Sequence, residues 1–178
     1  NHLESNSRSG LELGNSVENN HFYNNTFTSY SEAGFYAGGI YNIYSNNTAT
    51  STTVSGIYVS GSFNNFTNNL GYSIYGDGWD VRGTDHYLFA NNFSSLISTG
   101  ASMWYLTNTT FRNNYFGAYN KSGVTITDGS KYNIFINNTA KSNGTDYQAN
   151  GFFAIGSELN TYINNTGVSE SKSGFRFR

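Results

Sequence analysis

An asparagine pair returns along this chain at a nearly constant interval. Asn24-Asn25, Asn46-Asn47, Asn68-Asn69, Asn91-Asn92, Asn113-Asn114, Asn137-Asn138 and Asn164-Asn165 follow one another at spacings of 22, 22, 23, 22, 24 and 27 residues. A second marker keeps step with the first. Gly10, Gly34, Gly56, Gly78, Gly100, Gly123, Gly151 and Gly174 each open a stretch whose first and third following residues are apolar, from Leu11 and Leu13 to Phe175 and Phe177. Apolar residues alternating with period two mark a strand with one buried face. Two markers with one period near 22 residues define a repeat protein, in which each unit buries its apolar face against its neighbours.

Each unit offers two further inward positions. Two places before every pair stands an aromatic: Phe22, Tyr44, Phe66, Phe89, Phe111, Phe135 and Tyr162. Two places after it comes a weaker series, Phe27, Ala49, Gly71, Ser94, Phe116, Ala140 and Gly167. Three short strands and their corners fill the unit and leave no room for a helix. The expected fold is all-β: a right-handed parallel β-helix, a single-chain solenoid of about eight coils of ~22 residues. With coils about 4.8 Å apart, the rod is roughly 35–40 Å long.

The asparagines have physical work at the corners. Asparagine tolerates the left-handed backbone region better than most residues, and its amide offers two donors and an acceptor. Stacked from coil to coil, such amides form a ladder along the axis. A second ladder is expected from Asn20, Asn42, Asn64, Asn133 and Asn160, interrupted by Tyr87 in coil four and Thr109 in coil five. The corner glycines are expected to answer the same backbone need.

Composition narrows the function classes. The 28 asparagines and 17% aromatics come with only 11% charged residues and no proline. Strict register separates the chain from a disordered polar segment. A net charge of −2 gives no basic footprint for nucleic acid, and no apolar run is long enough to span a membrane. Residues 1–178 read as one domain, starting and ending inside a coil as part of a longer or processed chain. The only irregularity is an insertion within Thr139–Asn150, expected to bulge from a corner. Nine Asn-X-Ser/Thr triplets, at Asn24, Asn46, Asn65, Asn92, Asn108, Asn120, Asn137, Asn143 and Asn164, point to an extracellular or cell-surface glycoprotein. Asn120 and Asn143, in loops, read as the best acceptors. Asn24, Asn46, Asn137 and Asn164 each precede a ladder residue and read as poorer ones.

The stretch GIYVSGSFNNFTNNLG at Gly56–Gly71, with YNIFINNTA at Tyr132–Ala140 and TYINNTG at Thr161–Gly167, resembles the short repeats of the NosD-like and pectate-lyase-like β-helix superfamily. The resemblance implies the fold along nearly the whole chain. It also implies a wide choice of functions: polysaccharide lyases and hydrolases, periplasmic metal-handling proteins, adhesins and surface-layer components. A fold shared so widely does not pass on a function.

Charged and aromatic side chains crowd coil four. Asp80 and Arg82 share the outward side of one strand, beside Tyr58 in coil three and Trp104 in coil five. That is a candidate for a sugar-binding platform; the simpler reading is a solvated ion pair with Arg82 stacked on Trp104. No second carboxylate stands on that face for two-carboxylate hydrolysis. His2, His21, His86 and Met103 occupy unrelated repeat positions, so no metal site and no cofactor is expected. The leading expectation is a non-enzymatic extracellular solenoid with a structural or adhesive role, stacking end to end into a filament, fibre or surface layer or joining other surface proteins. The alternative is a carbohydrate-binding or carbohydrate-active β-helix, and a third is NosD-like metal handling.

Overall fold

Twenty-three short strands wind into three parallel sheets in the computed structural model, which describes residues 1–127 and 129–178. Sheet A gathers eight strands, from His2–Ser5 to Thr166–Ser169. Sheet B gathers eight, from Leu11–Leu13 to Phe175–Phe177, and sheet C seven, from His21–Tyr23 to Thr161–Ile163. Each strand pairs in parallel with its equivalent one coil away, as Phe35 pairs with Ile57 and Ile57 with Trp79. No helix occurs among the described residues. The insertion leaves Thr139–Ser142 in sheet A, and its extra residues follow that strand.

The glycine-linked apolar positions line the interior as expected, with exceptions at the ends. Leu11 is half-buried, and Phe175 and Phe177 are exposed, because an end coil has a neighbour on one side only. Between the ends the aromatics stack along the axis. Tyr44 lies 4.6 Å from Phe66, and Phe111 lies 4.7 Å from Phe135, ring centroid to ring centroid.

Coil four corrects the expected register. Leu88, not Phe89, pairs with Phe66 and points inward. Phe93, not Ser94, pairs with Gly71 and is fully buried. Here the inward ladder residue is the first asparagine of its pair, Asn91, and Ala90 takes the left-handed corner that Asn68 takes one coil earlier. The pair slides by one residue; the inward apolar positions and the ladder do not. Volume is redistributed accordingly. Trp79 fills the space beside the smaller Leu88 and packs 4.3 Å from Phe93, while Gly71, opposite Phe93, leaves that ring room.

The ladder runs from Asn1 through Asn25, Asn47, Asn69, Asn91, Asn114 and Asn138 to Asn165. At Asn69, Oδ1 accepts the Asn47 backbone N–H at 3.0 Å and the Asn47 amide at 3.1 Å. Its Nδ2 donates to the Tyr44 carbonyl at 2.8 Å and to Asn91 Oδ1 at 3.1 Å. Each amide thus satisfies main-chain groups that the corner would otherwise leave buried and unpaired, each worth about 1–3 kcal/mol.

The second ladder is not interrupted, because His86 and Thr109 continue it. Tyr87, expected at that step, faces out instead. The Asn64 N–H donates to His86 Nδ1, the His86 N–H to Thr109 Oγ1, and the Thr109 N–H to Asn133 Oδ1. A third ladder, of serines, lines the corner between sheets A and B. Ser29 Oγ donates to the Arg8 carbonyl and accepts the Glu32 N–H; Ser51 and Ser95 repeat the pattern.

The glycines that open sheet B do not take up left-handed backbone, contrary to expectation; that conformation belongs to Gly39, Gly83, Gly129 and Gly156. The reason for the series is close approach. A Cβ on Gly100 would stand 2.5 Å from the Gly123 carbonyl oxygen and 2.7 Å from that of Gly117, inside contact distance of two neighbouring strands.

Candidate functional site

Two rows of side chains stand outward on sheet B. The residues two places after each glycine form the first, including Tyr36, Tyr58, Asp80, Ser102, Thr125 and Phe153. Arg82 and Trp104 belong to the second, two residues further on. Because the strands are parallel and in register, residues about 22 apart in sequence become neighbours about 4.8 Å apart.

Asp80, Arg82 and Tyr58 come together as expected. Arg82 Nη2 lies 3.5 Å from Asp80 Oδ2, and its guanidinium sits 5.4 Å from the centre of the Tyr58 ring. Arg82 therefore leans back over Tyr58 rather than forward onto Trp104. Tyr36 extends this surface, stacking on Tyr58 at 5.1 Å with its hydroxyl 2.9 Å from Ser60 Oγ. Asp80 is set into the row, and its Oδ1 is buried with no hydrogen-bond partner. Burial pushes its carboxyl up to about 6 from the ordinary 3.8, against the opposing pull of Arg82.

Beyond Asp80 the row drops to two short side chains, Ser102 and Thr125, before Phe153 closes it. The gap is a groove of about 310 Å³. Trp104 flanks it on one side; Asp77, Lys121 and Gln148 reach in from the opposite corner. Asp77 is held by the Thr99 N–H, which donates to its Oδ1 at 3.0 Å. Such a groove offers an aromatic plane beside donors and acceptors, a combination suited to a ligand with one apolar and one hydroxylated face.

Trp104 thus belongs to this groove, and Tyr58, Asp80 and Arg82 to its approach. Tyr36, Thr125 and Phe153 stand at the same glycine-plus-two position as Tyr58 and Asp80, so the period marks them. Lys121 and Gln148 come from corner segments whose course no periodicity fixes.

The histidines remain apart. His2 lies 3.5 Å from Glu4, His21 lies 2.7 Å from Ser45, His86 is buried in a ladder, and Met103 is in the core. Among the described residues no three histidine, aspartate or glutamate side chains gather as a metal-holding group, and no helix is long and apolar enough to cross a membrane.

The acceptor asparagine of each of the nine triplets lies outside the ladders. Asn24, Asn46, Asn92, Asn108, Asn120, Asn137 and Asn164 are exposed, whereas Asn65 and Asn143 are half-buried. This revises the expected order of acceptors, since the residues that precede the ladder are open and Asn143 is not.

Residues 55–177 match the family described as the right handed beta helix region. No curated protein and no solved structure matches the chain.

Proposed function

We propose that this chain, which belongs to the right-handed β-helix family, serves outside the cell as a glycosylated structural or adhesive rod. The observation that carries the reading is the interchangeability of its coils. Each interior coil offers the next the same pairing surface: three parallel strand edges and the ladder groups at the corners. A coil from further repeats or from a second copy can add to such a surface by the same bonds, and head-to-tail addition of this kind propagates without closing. Electron microscopy and sedimentation of the natural protein test this reading. Filaments, fibres or a surface lattice support it; a capped monomer at high concentration contradicts it.

The groove between Trp104 and Phe153 favours a second reading, a carbohydrate-binding rod, with a sugar face on the indole and hydroxyls toward Asp77, Lys121 and Gln148. Glycan-array binding that is lost in Trp104→Ala, with the fold retained, supports it. Failure of the wild type to bind any glycan removes it.

A further inference from the structure

The ladders divide the asparagines into two populations, and the glycosylation triplets follow that division. None of the ladder asparagines begins a triplet; all nine triplets begin on the others. Alternation supplies part of the reason. A residue and the one two places on share a strand face, so an inward asparagine is followed there by Phe27, Ala49, Phe93, Phe116 or Ala140, none with a hydroxyl. An outward asparagine is followed by an outward residue, often threonine. At the edge sites the triplets therefore place both groups that glycan transfer requires, the asparagine amide and the hydroxyl two residues on, together at the surface; at Asn120 they do not, since Ser122 is buried and donates to the Gln148 carbonyl. Within Asn65-Phe66-Thr67 the two already meet, Thr67 Oγ1 donating to Asn65 Oδ1 at 3.1 Å.

We propose that the rod carries N-linked glycans concentrated along one edge, the corner between sheets C and A, and that the aromatic face of sheet B is left bare. Resting on the extracellular reading above, this assigns five attachment sites to that edge: Asn24, Asn46, Asn92, Asn137 and Asn164. Four of them hold left-handed backbone, with φ from 51° to 55°, which turns the side chain out while the next residue enters the ladder. Asn92 is outward because the pair slides by one in coil four. Asn108 and Asn120 are single exposed acceptors on the other two corners. Asn65, half-buried within the strand Asn65–Thr67, and Asn143, with its Oδ1 buried, are poor acceptors. The outward strand positions of sheet B contain no asparagine.

The modification is a group transfer from a lipid-phosphate-linked oligosaccharide. The anomeric carbon–oxygen bond to phosphate breaks, its electron pair leaving with the phosphate. A bond forms between that carbon and the asparagine Nδ2, which gives up one proton to a base of the transferase.

Glycopeptide mass spectrometry of the natural protein, with its location in the cell recorded, tests the assignment. The expected result is sugar-sized mass shifts at the edge sites and none at Asn65, Asn143 or any ladder asparagine. Protein found outside the cell with every triplet unmodified overturns this inference and leaves the extracellular reading standing. Unmodified protein found inside overturns both. Glycans confined to Asn65 and Asn143 overturn the edge.

Discussion

His86 stands in a column of asparagines and accepts the main-chain N–H that an asparagine would accept there. Its Nδ1 accepts the Asn64 backbone N–H at 3.2 Å, so Nε2 carries the proton and donates to the Arg82 carbonyl at 3.2 Å. Asn64 below it also accepts a main-chain N–H, that of Asn42, but its Nδ2 donates to a carbonyl of the preceding coil, that of Gly39, at 3.1 Å. A five-membered ring with one acceptor and one donor thus substitutes for a carboxamide. Unlike a carboxamide, it can lose that acceptor by protonation.

The first prediction concerns acid. Burial lowers the pKa of His86 from its ordinary 6.5. The unfolded chain then binds the proton more tightly, so this contribution to stability is complete above 6.5 and is lost as pH falls through the folded value. His86→Asn should remove this loss and, at pH 8, change unfolding stability by no more than about 1 kcal/mol. Denaturant titrations of both proteins at pH 8 and pH 5 measure the difference. An acid loss that persists unchanged in the variant would place its origin elsewhere.

Asp80 acts in the opposite direction. Its folded pKa is about 6, above the ordinary 3.8. Its contribution is therefore complete below 3.8 and is lost as pH rises through about 6. The loss is on the order of 2–3 kcal/mol at most. Asp80→Asn, which mimics the neutral form, should be at least as stable as the wild type at pH 7. Carbon-detected titration of the carboxyl should give a midpoint near 6; a midpoint near 3.8 would show that the carboxylate is well solvated.

The register of coil four gives a third prediction. Phe93→Ala should cost about 3–5 kcal/mol, because the ring packs against Trp79 in the closed core. Ser94→Ala should change stability by no more than about 0.5 kcal/mol. Equal effects in thermal or denaturant unfolding would refute the one-residue slide.

Two glycines make a fourth, paired prediction. Gly100→Ala forces a Cβ against two carbonyl oxygens and should cost at least about 2 kcal/mol. Gly14 has nothing within 4 Å of the same added atom, so Gly14→Ala should be neutral or stabilising by about 0.4–1 kcal/mol. Comparison of the two midpoints tests whether close approach accounts for the corner glycine.

Much of this architecture was legible in the period. Phe35, Ile57 and Trp79 stand at equal offsets from their glycines, and three parallel sheets follow from repeating that offset. Phe89 misled because an aromatic two places before the asparagine pair was the rule elsewhere, and no local feature shows that the pair had moved relative to the core. His86 was hidden because its equivalence to asparagine lies in bond geometry rather than residue type. The serines were in plain view: Ser29, Ser51, Ser73 and Ser95 recur every 22 residues, but hydroxyls are common enough in this chain to obscure the series. On sheet B, Tyr58, Asp80 and Arg82 were legible because strand register fixes their neighbours, whereas Lys121 and Gln148 depend on the corner before each glycine.

The division of each asparagine pair into an inward and an outward member underlies the ladder, the fold and the proposed glycan edge alike. Asn68 and Asn69 test it most directly, since neither begins a glycosylation triplet. The measurement is the unfolding free energy of Asn68→Ala and Asn69→Ala. Asn69→Ala leaves the Asn47 N–H and the Tyr44 carbonyl without their partner and should cost about 3–5 kcal/mol. Asn68→Ala bears only the strain of a left-handed alanine and should cost about 1–2 kcal/mol. Equal losses, or the larger loss at Asn68, would contradict the account.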